Sequence, residues 1–306
     1  MGEISTKNAA FFAMAEFIVD FSTKIFDMAV SDKKRGRNFD YNGRGSNKNR
    51  GVERMAERVE NNDRGNNESL IRQLAAFIRE SQYTVVLTGA GCSVDSGVPD
   101  FRSPQGWWRK IDPRTVATVE ALQTNYELFH AFYKARIEHL DGVRPHVGHH
   151  ALARWEQEGR LRLIATQNVD GLHQAAGSRR VEELHGSIRS CRCHRCQRGA
   201  ERDRFLSGLP CPECGGRLRP NVVLFGEALP DMAWNRALEA VRRAELVLVI
   251  GTSLQVYPVN QLPRMTEGRT ALINAEETGE EHWFDLFIPG RAAPILERTD
   301  AMLRTT

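Results

Sequence analysis

Four cysteines occur in two Cys-x-x-Cys units, Cys193 with Cys196 and Cys211 with Cys214, and fourteen residues separate the two units. Thiolates at this spacing can close a tetrahedral shell around zinc, and Pro212 favours the tight turn that such a site needs. A pair of disulfides or of redox-active thiols is the alternative interpretation. Because four protein ligands leave no open position on the metal, the pattern predicts a zinc ion that stabilises the fold and takes no part in chemistry.

A glycine-rich turn follows a β-branched and apolar segment at residues 84–87. Gly89 and Gly91 let the backbone turn sharply and present N–H groups to an anion, and a following helix adds the positive end of its dipole. The spacing to Gly97 departs from the G-x-G-x-x-G pattern of dinucleotide sites, so an ordinary tight turn is the alternative. Residues 99–102 then read Pro-Asp-Phe-Arg. This stretch suits a charged ligand that carries a ring.

Polar candidates also follow a second apolar segment. Gln167, Asn168 and Asp170 come directly after it, and their alternative interpretation is a helix cap, which Asn and Asp form readily. His185 is one of nine histidines, and a lone histidine is more often structural than catalytic. An imidazole with an ordinary pKa of about 6.5 can still accept a proton at neutral pH, so His185 is a candidate general base.

The elements that must position these residues follow from the alternation of apolar strands with helical patterns. Strands are predicted at residues 84–87, 161–166, 246–250 and 270–274, and helices at residues 69–80, 126–139 and 232–243. Such alternation predicts an α/β fold, a Rossmann-like parallel sheet with helices on both faces and ligands at the carboxyl ends of the strands. Each group of candidate residues outside the cysteine units falls just after a strand or beside the cysteine module.

Length and composition are those of an ordinary soluble protein. The chain has 306 residues, is 41% hydrophobic and carries a formal charge of +3, which allows one good core and a smaller module. Neither a membrane span of roughly 18 apolar residues nor a cleaved signal peptide is predicted. Cysteines that crowd into metal-ligand spacing fit a reducing compartment, so the expected location is the cytoplasm.

Residues 1–67 differ in character from the rest. Residues 9–30 have an apolar stripe at helical spacing, and the interpretations are a helix that docks on its own domain or a second copy, or one that binds a partner or a membrane surface. Residues 31–68 are rich in Asn, Gly, Arg and Asp, which favours a flexible basic linker over a nucleic-acid contact. The members of the stripe are Phe11, Met14, Ile18, Phe21, Ile25 and Met28.

From about residue 68 onward the chain resembles the sirtuins, the NAD-dependent protein lysine deacylases. The resemblance depends on several motifs in the family's order, together with the two Cys-x-x-Cys units. They are GAGCSVDSGVPDFR at residues 89–102, TQNVDGLH at 166–173, ELHGS at 183–187, NVVLFGEALP at 221–230, GTSLQVYP at 251–258 and INAEE at 273–277.

The resemblance implies roles for the polar residues. His185 matches the family's general base, and Asn168 and Asp170 match residues that orient the nicotinamide ring and a water molecule. The four cysteines match the zinc ligands, which leaves Cys191 outside, although Cys191 or His194 could compete in a distorted site. The implied NAD contacts are Gly89, Ala90, Gly91, Asp100, Phe101, Arg102, Gln167, Asn168, Asp170, Gly251, Thr252, Ser253, Asn274, Glu276 and Ala292.

The substrate is implied to be an acyl-lysine in an extended peptide that pairs with the segment at residues 221–227. Val223 matches a main-chain contact to the lysine nitrogen, and Phe225 matches the wall of the lysine tunnel. Tyr133 and Arg136 match a Tyr-x-x-Arg pair found in sirtuins that remove succinyl, malonyl or glutaryl groups, since a guanidinium and a phenol can hold a carboxylate. The alternative is a solvated helix face.

Three residues depart from the pattern of those sirtuins or of the family. Asp100 stands where sirtuins that prefer acidic acyl groups commonly differ, and bacterial members with the Tyr-x-x-Arg pair also remove acetyl groups. Cys92 replaces the usual isoleucine and Ser103 the usual glycine of the cofactor loop. These changes affect the loop and remove no reacting group.

The sequence therefore predicts an NAD-consuming lysine deacylase acting on acylated proteins, with one structural zinc. The alternatives are an ADP-ribosyltransferase or NAD hydrolase that uses the same pocket, and a non-catalytic NAD-sensing interaction protein. The expected catalytic domain is residues 68–306, with Rossmann-like parts at 68–105, 145–188 and 219–306. A small helical and zinc-ribbon domain is expected from residues 106–144 and 189–218.

Overall fold

A computed structural model describes residues 67–104 and 106–305. The predicted amphipathic helix and residues 31–66 of the predicted linker lie outside the described residues, whereas residues 67 and 68 are the first two residues of a helix. The main body contains a six-stranded sheet in the order β3-β2-β1-β7-β8-β9, in which every neighbouring pair is parallel. Its strands are β1 Thr84–Thr88, β2 Leu161–Thr166, β3 Val181–Glu183, β7 Leu246–Ile250, β8 Arg269–Asn274 and β9 Leu286–Pro289.

Both faces of the six-stranded sheet are buried, as its uninterrupted apolar strands require. Side chains alternate along a strand, so Val86 of β1 packs in one apolar cluster while Val85 and Leu87 pack in another on the opposite face. Helices cover both clusters. The α-helices are α1 67–80, α2 Pro113–Val116, α3 Val119–Thr124, α4 Tyr126–His139, α5 Val147–Gln157, α6 Leu172–Ala175, α7 Arg202–Leu206, α8 Asp231–Arg242 and α9 Ala292–Arg304.

A second, smaller sheet is antiparallel and has the order β5-β4-β6. It consists of β4 Gly186–Cys193, β5 Gly199–Ala200 and β6 Leu218–Val222. Its apolar cluster includes side chains of α4, such as Phe129 and Phe132. The predicted α/β class, with a Rossmann-like sheet and a small additional module, is therefore confirmed, and the four predicted strands agree with the structure within one residue at each end.

The strand order places the site. β1 lies between β2 and β7, so the chain leaves β1 at the point where the sheet order reverses, which is where open α/β sheets bind ligands. The segment that follows β1 is a seven-residue 3-10 helix, Ala90–Ser96, and not the α-helix that the glycine turn suggested. Of the helices in the described residues, none is both long and apolar enough to cross a membrane.

Candidate active site and zinc module

A cleft of about 940 Å³ lies at the carboxyl ends of the parallel strands, between the large sheet and the smaller module. All the sequence-predicted NAD, catalytic and substrate residues line this one cavity. They are Gly89, Ala90, Gly91, Asp100, Phe101, Arg102, Tyr133, Arg136, Gln167, Asn168, Asp170, His185, Val223, Phe225, Gly251, Thr252, Ser253, Asn274, Glu276 and Ala292.

Backbone contacts between two glycine loops form one wall of the cleft. The N–H of Gly91 donates to the carbonyl oxygen of Gly251 at 2.8 Å, and the N–H of Gly89 donates to Ile250 at 2.9 Å. A Cβ on Gly251 would stand 2.1 Å from the Cys92 nitrogen, and its φ of +62° is in the left-handed region. Glycine is therefore required at this crossing, because a side chain would push the two loops apart.

The polar residues after β2 form a buried hydrogen-bond network with the cofactor loop. The side-chain amide of Asn168 donates to the Gly89 carbonyl at 3.0 Å and to the Ser93 hydroxyl at 3.1 Å. The Ser93 hydroxyl donates to the Asp170 carboxylate at 2.8 Å. Burial raises the pKa of Asp170, against the opposing effect of its hydrogen bonds from Leu172 and Ser93. The network fixes both side chains at the base of the cleft.

The Asp170 carboxylate also accepts a hydrogen bond at 2.9 Å from the N–H of Leu172, the first residue of α6. The helix-cap interpretation of this residue is thus compatible with a place in the cleft. Its carbonyl oxygen accepts from the Arg189 guanidinium at 2.5 Å, so the segment is held from the side of the small sheet as well.

His185 lies half-buried in the cleft, at the junction between β3 and β4. Its Nδ1 is 3.2 Å from the carbonyl oxygen of Gln167, and because a carbonyl oxygen only accepts, Nδ1–H is the donor. The other nitrogen, Nε2, therefore carries the lone pair in the neutral ring. Burial lowers the pKa of His185, opposed by the Gln167 hydrogen bond, and the positive charge of Arg102 lowers it further. The ring is therefore a neutral proton acceptor at pH 7.

The end of the cleft formed by β7 and β8 is lined by small and amide side chains. Gln167 donates to the Thr252 hydroxyl at 3.0 Å, which joins the loops after β2 and β7. The Asn274 amide donates to the carbonyl of Glu276 at 2.6 Å and shapes the loop after β8. An acidic side chain after a strand, as at Glu276, suits a ribose hydroxyl.

The Asp100–Arg102 segment is shaped by its own aspartate. The Asp100 carboxylate accepts the N–H groups of Arg102 at 3.0 Å and Ser103 at 2.9 Å, which closes a tight turn. The Phe101 ring stacks on Trp108 with centroids 5.0 Å apart. This places Phe101 against the small module, so the segment connects the two walls of the cleft.

On the small-module side, the segment after β6 runs along the mouth of the cleft. The Val223 N–H donates to the His185 carbonyl at 2.8 Å, so the two candidate residues are directly linked. The Phe225 N–H donates to Ala117 at 2.8 Å, and its ring is 48% exposed. An ion pair supports this segment, since the buried Arg219 forms two hydrogen bonds to the half-buried Glu227 carboxylate, at 2.6 and 2.8 Å.

Tyr133 and Arg136 lie together on α4 and both face the cleft. The Arg136 guanidinium is 5.1 Å from the centre of the Phe101 ring and 5.4 Å from that of Phe132, which are cation–π distances. Burial raises the pKa of Tyr133 to about 12 and lowers that of Arg136. Arg136 forms no ion pair with a carboxylate of residues 67–104 or 106–305. The cleft thus contains a cation that lies beside aromatic rings and is also affected by the negative charge of Asp170.

The four predicted cysteine ligands converge in the small module. Their sulfur atoms lie within 4.8 Å of one another, with Cys193 and Cys214 at 3.5 Å and Cys196 and Cys211 at 3.7 Å. These separations exceed an S–S bond of about 2.05 Å, and they fit the edges of roughly 3.8 Å of a tetrahedron with Zn–S bonds of about 2.3 Å. The fifth cysteine, Cys191, is buried outside the cluster, as expected from the resemblance.

Three residues position site residues without being among the sequence predictions. Ser93 connects Asn168 to Asp170, and Asp95 accepts the Ala293 N–H at 2.9 Å at the start of α9. Both lie inside the motif at residues 89–102, but the sequence prediction concerned the glycines and the charged end of that motif. Arg219 is a charged residue within a segment that has a strand pattern, and the acidic Glu227 lies eight residues further on. This combination is the sequence signal that indicates an ion pair here.

Comparison with known proteins places these residues in context. A family model described as the Sir2 family matches residues 89–258. The chain is 48% identical over 222 residues to an NAD-dependent protein deacetylase 1 of Geobacillus kaustophilus, covering 71% of this chain and 92% of that protein. It is 44% identical over 230 residues to an NAD-dependent protein deacylase 2 of Pyrobaculum aerophilum, covering 74% and 92% of the two chains.

Solved structures agree with the sequence comparisons. A Sir2 homolog in complex with NAD superposes with a TM-score of 0.71 at 38% identity and covers 76% of this chain and 94% of its own. A Sir2 protein solved with a p53 peptide and NAD+ gives 0.71 at 32% identity, with coverage of 77% and 99%.

Proposed function

Because this chain belongs to the Sir2 family and is an NAD-dependent protein lysine deacylase, we propose that its reaction takes place in the cleft at the strand ends, with His185 as general base. The observation that carries this proposal is the state of His185. Its Nδ1–H is held by the Gln167 carbonyl, and Nε2 is left as an acceptor in a half-buried ring.

NAD would supply an anomeric carbon that carries nicotinamide as a leaving group. The acyl oxygen of the substrate lysine can bond to this carbon. His185 Nε2 then accepts the proton of a ribose hydroxyl, which allows that oxygen to attack the acyl carbon. With water added, the products are the free lysine, nicotinamide and O-acyl-ADP-ribose. The protein contributes mainly position and the exclusion of bulk water.

Asn168 and Asp170 are proposed to orient the nicotinamide end of NAD. Both are buried, and both are fixed by Ser93, so neither has to be ordered when the ligand binds. Preorganised polar groups of this kind lose little entropy on binding and so discriminate well between orientations.

The extended segment at Val223 and Phe225 is proposed to bind the acylated peptide by main-chain pairing. Val223 is hydrogen-bonded to the His185 carbonyl, which sets the lysine channel at a fixed distance from the general base. Phe225 provides an exposed apolar wall at the mouth, where the uncharged stem of an acyl-lysine fits.

The zinc ion that fits the four cysteines is proposed to be structural. The ion would hold together the turns of the small sheet, and the first strand of that sheet, β4, begins directly after His185. None of the four sulfurs lines the cleft, so the metal supports the substrate wall and does not contact the reacting atoms.

Product analysis tests the proposed reaction. The full chain is incubated with NAD and an acetyl-lysine peptide, and the products are identified by mass spectrometry. We expect free peptide, nicotinamide and O-acetyl-ADP-ribose in equal amounts. ADP-ribosylated protein as the main product would establish an ADP-ribosyltransferase instead, free ADP-ribose without deacylation an NAD hydrolase, and no turnover an NAD-binding protein without activity.

A preference for acyl groups that end in a carboxylate is proposed as a second feature of the same site. It is supported by Arg136, a half-buried cation in the cleft that has no carboxylate partner among the described residues. Tyr133 lies one helical turn away with its hydroxyl group as a further donor. A succinyl carboxylate could accept hydrogen bonds from both groups, whereas an acetyl group has no terminal carboxylate to form such a charged pair.

A further inference from the structure

A second cluster of metal-binding residue types lies apart from the cleft and from the four-cysteine cluster. Cys92, His149 and His173 are buried to 1% exposure or less, and one potential ligand atom from each lies within 4.8 Å of the other two. They come from three elements, the 3-10 segment after β1, helix α5 and helix α6. None of the three lines the cleft.

The burial of the polar His149 ring is not explained by hydrogen bonds. Neither of its ring nitrogens has a hydrogen-bond partner within the described part of the chain. The adjacent His146, whose ring centre is 4.1 Å away, is fully satisfied, since Nε2–H donates to the Cys92 carbonyl at 2.6 Å and Nδ1 accepts the Gly148 N–H at 2.9 Å. Burying unpaired polar atoms is costly, so the unpaired nitrogens of His149 indicate a missing partner.

His173 has one hydrogen-bonded and one unpaired ring nitrogen. Its Nε2 is 3.0 Å from the Thr88 hydroxyl, and that hydroxyl uses its one proton to donate to Thr166 at 2.8 Å. Nε2 must therefore carry the hydrogen, which leaves the lone pair on Nδ1. Nδ1 is buried and has no hydrogen-bond partner among residues 67–104 and 106–305. In metal sites a hydrogen bond to the other ring nitrogen fixes the tautomer in this manner.

We propose that Cys92, His149 and His173 bind one transition-metal ion of the class that accepts thiolate and imidazole ligands together, zinc or copper(I). Three atoms at most 4.8 Å apart have a common point within about 2.8 Å of each, from the geometry of an equilateral triangle. Metal–nitrogen bonds of about 2.0–2.1 Å and metal–sulfur bonds of about 2.3 Å then require shifts of less than 1 Å.

Two carboxylates act electrostatically on this cluster. Burial opposes an unpaired charge at Cys92, whereas the negative charges of Asp170 and Asp95 favour a cation beside it. When the metal–sulfur bond forms, the Cys92 thiol releases its proton to solvent.

An ion here would join the cofactor loop to the segment that carries Asp170. Cys92 follows Gly91 of the backbone wall, and His173 is three residues after Asp170. The metal would thus brace the side of the loop that faces away from the cleft. This inference does not depend on the deacylase proposal, because it concerns a separate set of residues and predicts a metal count.

Metal stoichiometry tests the inference. The untagged full chain is incubated with excess Zn²⁺, or anaerobically with copper(I), passed through a desalting column and measured by native mass spectrometry and elemental analysis. We expect two metal ions per wild-type chain, one of them at the four cysteines, and one ion in Cys92→Ala. His149→Leu is a second variant that removes a ligand and is also expected to hold one ion.

Cys191→Ala is the matched control, because Cys191 is also buried and lies outside both clusters; it should keep two ions. Uptake of zinc or of copper alone supports the site and identifies its metal. One ion per wild-type chain with both metals, or two ions in a folded Cys92→Ala chain, would overturn the inference. Circular dichroism establishes folding, and Cys92→Ala decides the outcome if His149→Leu does not fold.

Discussion

The two walls of the cleft are formed by different kinds of chemical group, main-chain groups on one side and side chains on the other. On the large-sheet side, the main-chain groups of Gly89, Gly91 and Gly251 set the shape through hydrogen bonds and close contacts. On the small-module side, α4 presents side chains, with Arg136 beside the ring of Phe101. A backbone wall suits a ligand that never changes, such as NAD, whereas a side-chain wall can be altered for a different acyl group by one substitution.

Among the changes that test this comparison, loss of the metal from the small module should lower activity the most. The sheet that carries the cysteines has strands of only eight, two and five residues, so the turns between them depend on the metal. We expect Cys211→Ser to lose zinc and to lower deacylation by at least roughly 100-fold, since structural zinc contributes about 10 kcal/mol or more to folding. Metal analysis and steady-state kinetics measure the two effects.

Cys191→Ser is the control for the cysteine substitution, because Cys191 is buried in β4, the strand that ends at the ligand Cys193, but is not part of the cluster. It should keep both zinc and activity. A Cys211→Ser chain with normal activity would contradict a metal-dependent substrate wall.

A single methyl group should damage the backbone wall for every acyl substrate alike. In Gly251→Ala the new Cβ meets the Cys92 nitrogen, and the residue must keep a φ of +62°. Strain of this type costs about 1–3 kcal/mol, so we expect the KM for NAD to rise by roughly 10- to 100-fold with acetyl and succinyl peptides equally. Gly142→Ala, where a Cβ meets nothing within 4 Å, is the control and should leave KM unchanged. An effect confined to one acyl substrate would argue against the division between the walls.

The side-chain wall should respond in the opposite way, with an effect that depends on the acyl group. We expect Arg136→Met to lower kcat/KM for a succinyl peptide by about tenfold, because hydrogen bonds to a charged group contribute about 1.5–3 kcal/mol. Deacetylation should change little. The measurement is the ratio of the two kcat/KM values for wild type and variant.

Lys134→Met is the matched control, since it removes a positive charge from the same helix at a position that pairs with Glu138. It should leave the ratio unchanged. If Arg136→Met lowered both activities equally, the carboxylate pocket would be rejected.

The smallest expected effect concerns pH. Burial, assisted by Arg102, lowers the pKa of His185 below its ordinary 6.5, so the base form predominates at pH 7 and is lost as the pH falls through that lowered pKa. The acid limb of kcat/KM should therefore lie below pH 6.5. Arg102→Gln removes a nearby positive charge and should move the limb upward by a fraction of a pH unit. A wild-type limb above pH 7 would contradict this assignment.

Much of this architecture could be predicted from sequence because its signals are local. The strand at residues 246–250 is an uninterrupted apolar run, and the spacing of the four cysteines matches the cluster in the structure. The 3-10 form of Ala90–Ser96 could not be predicted, because this segment packs through Gly91 on Gly251, a contact between residues far apart in the chain. The cluster of Cys92 with His149 and His173 is likewise invisible in sequence, since 57 and 81 positions separate Cys92 from the two histidines.

The most direct test of the account is the comparison of His185→Ala with His139→Ala. Both histidines line the cleft, but the ring of His139 contacts the Gly97 carbonyl. We expect His185→Ala to bind NAD within about threefold of wild type, by calorimetry, and to lose deacylation by roughly 100-fold or more, as removal of a general base requires. His139→Ala should lose little activity. Full deacylation by the His185→Ala chain would contradict the role assigned to this imidazole.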